Sequence, residues 1–410
     1  MSKMINRPQY LNQLIAHQNV DLVKIITGIR RCGKSSLLDL FHEHLSATGV
    51  DDAHILHINF ESLRFREIQS YLDLYDYVSA RIPQSGTTYL LFDELQVVEH
   101  WEKAIESFRL DFDVDIYITG SNAYLLSTEF STLLSGRFVE IRMLPLSFRE
   151  FIDFSPFAEG TSLDEKFQKY LQFGGMPVLR EYHFDENLSH QALEGIYSTV
   201  VLRDILQRNP TANQDILQKI SLFLASTLGS ITSPNNIGNM LAHENSLSHT
   251  SSRSTGPTVQ RYISMLNSAF IFYSVSRYDI KGKELLKTLG KNYICDMGFR
   301  NMLLGYRDAD RGHILENIVY LELLRRGYRV YIGKIGTTEV DFVAEKPSEK
   351  LYIQVTESLQ TPDTRARELR PLQSIRDNYE KIVLSMDRDF LTSYDGIRTV
   401  NLVDWLLGKL

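Results

Sequence analysis

Cysteine is nearly absent: Cys32 and Cys295 are the only two in 410 residues. So few excludes a disulfide framework and a four-cysteine zinc site, and fits a reducing compartment. There is no run of eighteen apolar residues, so no membrane-spanning helix is expected. The opening stretch Met1-Ser2-Lys3-Met4-Ile5-Asn6-Arg7 lacks the apolar segment of a secretion signal, and a cytoplasmic location is the expectation. Basic residues are not in excess either, since 44 Lys and Arg against 51 Asp and Glu leave a net charge of −7. That balance speaks against a nonspecific nucleic-acid coat but allows a local basic patch. No repeat of fixed period occurs. What remains is a composition of globular type, 43% hydrophobic and 23% charged, long enough for two to four domains.

Against that background one stretch is specific. Gly28-Ile29-Arg30-Arg31-Cys32-Gly33-Lys34-Ser35 has the spacing G-x-x-x-x-G-K-[ST]. It follows the apolar run Leu22-Val23-Lys24-Ile25-Ile26 and leads into Ser36-Leu37-Leu38-Asp39-Leu40-Phe41, which has helical spacing. Strand, glycine loop and helix together make a phosphate cradle. Gly28 and Gly33 let the backbone N–H groups approach phosphate oxygens, and Arg30, Arg31, Cys32 and Ser36 complete the loop's lining. Lys34 would reach the β and γ phosphates, and the Ser35 hydroxyl would ligate Mg²⁺. A nucleoside triphosphate is the expected ligand. Cys32 reads either as a buried spacer or as a thiol whose oxidation blocks the loop.

Four more strands are expected, at His54–Phe60, Tyr89–Asp93, Val114–Thr119 and Phe138–Met143, with helical stretches between them and a short amphipathic helix within residues 1–20. Alternation of this kind predicts a parallel sheet covered on both faces, with ligands at the carboxyl ends of its strands. The third of the five strands ends in Asp93-Glu94. Asp93 at the tip would hold a water on the Mg²⁺, and Glu94, turned the other way, would orient or deprotonate the attacking water. After the fourth strand, in Thr119-Gly120-Ser121-Asn122, Asn122 or Ser121 could bond the γ-phosphate, or the stretch could be a plain turn. Arg137, just ahead of the fifth strand, could stabilise the transferring phosphate of a neighbouring subunit or make one surface ion pair.

Beyond residue 145 helices predominate, interrupted by Gly174-Gly175-Met176-Pro177, and Asn209-Pro210 marks a boundary. Three helices over 213–275 and two strands near 270–277 and 292–295 suggest a winged helix. Within it, Thr258, Gln260 and Arg261 could face bases and Lys281, Lys283, Lys287 and Lys291 phosphates, or the domain could serve as a lid or protein contact with its lysines on a solvated face. The Ser-, Thr- and His-rich stretch His243–Gly256 reads as a mobile loop. His243 and His249 have no ligand-like spacing. A last α/β segment follows from about residue 301.

These motifs together resemble the prokaryotic AAA-plus-type P-loop ATPases that carry a C-terminal domain of unknown function. The residues that carry the likeness are the 28–35 loop, Leu91-Phe92-Asp93-Glu94-Leu95-Gln96, Thr119–Asn122, Gly136-Arg137, Pro145–Phe148, Phe173–Pro177, Leu315-Glu316-Asn317, Glu339–Phe342 and Ile353-Gln354-Val355. The resemblance implies an α/β core over 1–150, with the glutamate-bearing strand between the phosphate-loop strand and its neighbour. It further implies a helical lid over 151–212, a winged helix over 213–300 and a restriction-nuclease-like domain over 301–410. In related ATPases a turn like Gly175–Pro177 touches the base and ribose. Nucleases of the resembled type hold Mg²⁺ with a helix Glu, a strand Asp and a Glu-x-Lys. Here Glu316 and Asp341 fill the first two places, but the third reads Gln354-Val355-Thr356. An amide in place of a carboxylate, and no lysine, contradict nuclease chemistry.

The expected activity is therefore Mg²⁺-dependent ATP hydrolysis in a homo-oligomer, with ATP and ADP as ligands and a protein partner moved by the downstream domains. Two alternatives are a nucleotide-gated DNA-binding protein and a slow scaffold that oligomerises with ATP.

Overall fold

The computed structural model describes residues 5–126, 134, 136–243, 255–306, 311–388 and 393–409. Most of the stretch expected to be a mobile loop, residues 244–254, lies outside them, as do His249 and the side chain of Lys287. The chain forms two compact units, Met1–Met143 with Ser268–Phe270, and Leu144–Asn267 with Ile271–Leu410.

The first unit is built on five parallel strands, β1 (Val23–Thr27), β2 (Ile55–Asn59), β3 (Thr88–Asp93), β4 (Val114–Gly120) and β5 (Phe138–Arg142). Their order is β2-β3-β4-β1-β5. The neighbours of β1 are thus β4 and β5, and the Asp93-Glu94 strand β3 sits between β4 and β2. This corrects the expectation that the glutamate strand lies beside the phosphate-loop strand. The reason is register: β1 gives one edge to β4, from Lys24 opposite Tyr117 to Thr27 opposite Gly120, and the other to β5.

Both sheet faces are covered, as alternating strands and helices require. Ile116 and Ile118 of β4 join Val23, Ile25, Leu90 and Phe92 in a core closed by Leu74 and Val78 of α3 (Tyr71–Ser79) and Ile105 and Phe108 of α4 (Trp101–Asp111). Tyr117, between those isoleucines, points to the other face, where its ring lies 4.4 Å from that of Phe41 on α2 (Lys34–Ala47). Helix α1 (Pro8–Ala16) buries Tyr10 and Leu14. Lys24 is buried in this unit and pairs with Asp115, which also accepts a 2.9 Å bond from the Tyr117 hydroxyl. A buried lysine is tolerated only with such a partner.

In the second unit, helices Phe148–Phe154 and Leu163–Phe173 each start with a serine whose hydroxyl and a glutamate three residues on cap each other, Ser147 with Glu150 and Ser162 with Glu165. Helix Glu186–Thr199 runs on into a π-helical stretch, Val200–Leu206. Helices Gln214–Ser226, Pro234–His243 and Thr255–Ser268 follow, then the hairpin β6 (Phe272–Asp279) and β7 (Glu284–Ile294). Helices Met297–Leu304 and Arg311–Arg325 lead to β8 (Arg329–Ile335), β9 (Thr338–Lys346) and β10 (Glu349–Val355). Helix Pro362–Gln373 precedes β11 (Glu380–Ser385), β12 (Ser393–Tyr394) and β13 (Ile397–Asn401).

These strands form one eight-stranded sheet in the order β12-β13-β11-β10-β9-β8-β6-β7. The hairpin expected to stand apart as a wing is hydrogen-bonded into this sheet, with Arg277, Tyr278 and Asp279 opposite Ile332, Gly333 and Lys334. Strand pairing thus crosses the boundary expected near residue 300.

The Gly174-Gly175 turn is tied within this unit. The Gly175 N–H donates to Asp296 at 2.6 Å, and its carbonyl accepts from the Leu146 N–H at 2.8 Å. Gly174 has a φ of +76°, and a Cβ there would fall 2.0 Å from the Asp296 carboxylate, so only glycine fits. Burial pushes the Asp296 carboxyl up to about 7, against the pull of N–H donors from Gly175, Gly298 and Phe299.

Candidate phosphate-binding site

At the carboxyl end of β1 the backbone leaves the sheet. The Met143 N–H donates to the Thr27 carbonyl at 2.7 Å, and Gly28 turns directly under the Met143 carbonyl. A Cβ on Gly28, whose φ is +148°, would lie 2.1 Å from that oxygen. Arg31 takes a left-handed φ of +64° without being glycine, a local strain of the kind that concentrates at ligand sites. Gly33 starts α2, and no side chain caps the first turn of that helix. Its orphan N–H groups and positive dipole end are therefore left for another acceptor.

Lys34 is buried, and its ammonium donates to the carbonyls of Gly28 at 3.0 Å and Ile29 at 3.2 Å. Glu94 Oε1 lies 3.8 Å from the same nitrogen. Ser35 lies beside Asp93, whose carboxylate accepts from Asn59 Nδ2 at 2.8 Å and from the Thr119 hydroxyl. Burial raises the Asp93 carboxyl, with Thr119, Ser35 and Lys34 opposing it.

Glu94 does not simply face the other way. Its left-handed φ of +56° ends the alternation of β3 and brings its carboxylate to Lys34. The Glu94 N–H donates to Thr119 Oγ1 at 2.9 Å, so one hydroxyl holds both acidic residues. Gln96 Nε2 donates to Glu94 Oε2, which also accepts from Ser121 Oγ at 3.2 Å. Asn122 is buried next to Ser121, and its carbonyl accepts from the Leu125 N–H at 3.3 Å.

The structure thus brings together Gly28 through Ser36, Asp93, Glu94 and the Ser121-Asn122 turn. Arg30 is ion-paired to Glu61 at 2.9 Å, Arg31 is exposed and Ser36 half-buried. Cys32 is fully buried with Sγ 3.6 Å from the Met143 carbonyl, and burial pushes its thiol up. It is a packed spacer, which corrects the alternative of an oxidisable switch.

Other residues lie apart from the loop. Arg137 is exposed at the amino end of the sheet, where its carbonyl accepts from the Val23 N–H at 3.0 Å. The whole of β1, roughly 16 Å of strand, separates it from the loop on its own chain. Gly175 and Pro177 belong to the second unit, where both backbone polar groups of Gly175 are already bonded. Asn59, Gln96 and Thr119 were not singled out from sequence. The signal for Thr119 was its register, one position beyond the Phe92–Ile118 pair.

In the second unit, Gln260, Lys281 and Lys283 are exposed, while Arg261 donates to Thr211 Oγ1 at 3.0 Å. Lys291, expected among the exposed wing lysines, is instead buried. Its ammonium lies 2.8 Å from Glu316 and 2.7 Å from Glu339. Membership of β7, whose inner side meets helix Arg311–Arg325, turns it inward. Glu316 and Asp341 do come together, but among the described residues no three or more His, Cys, Asp or Glu side chains are arranged to hold a metal ion. No described helix is long and apolar enough to cross a membrane.

Comparison with known proteins agrees with this geometry. Residues 21–152 match an AAA domain family, and residues 164–310 match a domain of unknown function. An uncharacterized protein of Haemophilus influenzae is 40% identical, over 99% of this chain and 100% of its own. An uncharacterized protein of Methanocaldococcus jannaschii is 28% identical, over 95% of this chain and 83% of its own. Among solved structures, a Walker-type ATPase of Pyrococcus abyssi covers 73% of this chain and 95% of its own at a TM-score of 0.51 and 15% identity, a likeness of fold. The chain belongs to one family with the Haemophilus influenzae protein, and its first unit carries the AAA-type P-loop ATPase fold.

Proposed function

We propose that the first unit binds ATP with Mg²⁺ and hydrolyses it. The observation that carries this reading is Ser35 placed beside Asp93 at an uncapped helix start, with Glu94 reaching Lys34. A hydroxyl and a carboxylate side by side are the hard oxygen donors that suit Mg²⁺, which keeps its other positions for waters and phosphate. Bound there, the ion would neutralise charge on the β and γ phosphate oxygens. Lys34 would exchange the Gly28 and Ile29 carbonyls for phosphate oxygens, a stronger charge-assisted contact. Freed of Lys34, the Glu94 carboxylate would orient the attacking water, with Gln96 and Ser121 fixing its second oxygen.

The test is titration of the full chain with ATP and Mg²⁺, alongside phosphate release. Micromolar binding lost in Lys34→Ala supports the reading. Equal binding by both proteins would overturn it.

On this reading Arg137, too far from its own loop, acts on the nucleotide of a second copy in a homo-oligomer. The Gly175–Pro177 turn gains no further support as a base contact, since both backbone groups of Gly175 are already bonded; of the expected DNA contacts, Lys291 is buried while Gln260, Lys281 and Lys283 are exposed. Movement of a protein partner by the second unit remains part of the proposal and would appear as ATP turnover stimulated by that partner.

A further inference from the structure

Nucleases of the type that the sequence resembles hold a divalent cation at the positions of Glu316 and Asp341, and the residues present here do not fit one. Helix Arg311–Arg325 carries Glu316, β9 carries Glu339 and Asp341, and β7 carries Lys291. The three carboxylates converge on a point already taken by the Lys291 ammonium, at 2.8 Å from Glu316, 2.7 Å from Glu339 and 4.0 Å from Asp341. Lys291 is 4% exposed, so its ammonium is largely shielded from solvent.

Acceptors of Glu316 and Asp341 are also used. Glu316 Oε1 takes a 2.6 Å bond from the Tyr293 hydroxyl, and its other oxygen faces His313 Nδ1 at 3.6 Å. Asp341 Oδ2 accepts from the Val355 N–H at 2.8 Å. Gln354, in the place of a third metal-binding carboxylate, donates its amide N–H to Glu368 at 3.0 Å, and its side-chain carbonyl accepts from the Asp341 N–H at 3.4 Å. Gly229 closes the last side, since a Cβ there would fall 2.9 Å from Glu316 Oε2. An ammonium with three donors can serve three carboxylates, but it cannot polarise a phosphate or activate a water as a divalent ion does.

We propose that the Lys291 ammonium is the resident cation of this carboxylate cluster, standing where a divalent metal would sit. The cluster is in consequence metal-free while Lys291 is in place, and removing that side chain would free its carboxylates for a divalent cation. Charge agrees with the geometry: desolvation opposes the ammonium, yet Glu316, Asp341 and Glu339 together hold it charged above the ordinary lysine range. This inference is independent of ATP hydrolysis in the first unit.

The experiment is Mn²⁺ binding, read by the loss of free-ion paramagnetic resonance, on the full chain without nucleotide. An Asp93→Asn background removes the proposed first-unit metal ligand. With Lys291 intact, no Mn²⁺ binds at this cluster. With Lys291→Met one Mn²⁺ binds with a Kd of ~0.1–1 mM, and adding Glu316→Gln abolishes it. Lys291→Met lowers the melting temperature by roughly 5–10 °C, and ~5 mM Mn²⁺ restores part of that loss only while Glu316 is present. Lys291→Gln, which keeps a donor in the cluster, provides a second variant should the methionine chain not fold. Mn²⁺ bound by the Lys291 chain and released by Glu316→Gln overturns the proposal, as does a folded Lys291 variant that binds none.

Discussion

Lys34 in the first unit and Lys291 in the second are buried lysines that meet acidic side chains, and the two places differ in how finished they are. In the first unit Lys34 rests on two backbone carbonyls, with its carboxylate partner at 3.8 Å, beside a helix start that lacks a cap. In the second, Lys291 makes two ion-pair contacts under 3 Å, and two of the neighbouring carboxylates, Glu316 and Asp341, each have a further donor. A lysine held by neutral acceptors loses little when a phosphate displaces them, whereas one in a closed carboxylate cage loses much. The contrast separates a site waiting for a ligand from one that has supplied its own.

The comparison can be broken most decisively at Glu94. Glu94→Gln is expected to lower ATP turnover by ~10²-fold or more while ATP affinity stays within about twofold, measured by phosphate release and by titration. The matching change in the other cluster, Glu316→Gln, should leave turnover as it was and lower only the melting temperature, so a loss of turnover there would erase the distinction.

Thr119 sharpens the first half. Its hydroxyl bonds Asp93 and receives the Glu94 N–H, so Thr119→Val is expected to cut kcat by roughly tenfold with a smaller change in KM. An unchanged kcat would show that the Thr119 bonds do not place Glu94. Gln96→Leu comes next, about threefold in kcat, since Ser121 still holds the same Glu94 oxygen.

The smallest effect is one of pH in the second unit. Asp296 binds its proton more tightly folded than unfolded, because burial raises it from an ordinary 3.8 to about 7. Its contribution to stability is therefore complete below about pH 4 and is lost as pH rises through 7. The melting-temperature advantage of the wild type over Asp296→Asn should shrink across that interval. A constant difference would assign Asp296 a role that does not depend on its proton.

Much of the first unit was legible before any coordinates. Five apolar runs stand alone between helical stretches, and the glycine spacing of residues 28–35 is local chemistry that a short window reveals. The roles of Asn59, Thr119 and Gln96 were not legible, because they arise from strand register and from the left-handed turn at Glu94. Lys291 illustrates the same limit: four lysines close together in sequence read as one basic surface, yet the inward side of β7 removes one of them into the core. The joining of β6 to β8 was likewise hidden, since the partners lie more than fifty residues apart and only three pairs connect them. Local pattern names an element; long-range pairing decides what it faces.

The strand order of the first unit has a consequence for synthesis. Both hydrogen-bonding partners of β1, β4 and β5, are translated long after it, and the Met143 backbone braces the turn at Gly28. While the ribosome has delivered only the first hundred residues, the phosphate loop hangs from a strand with two bare edges. Nucleotide cannot assist the early nascent chain, and the unit is obliged to close late and nearly all at once.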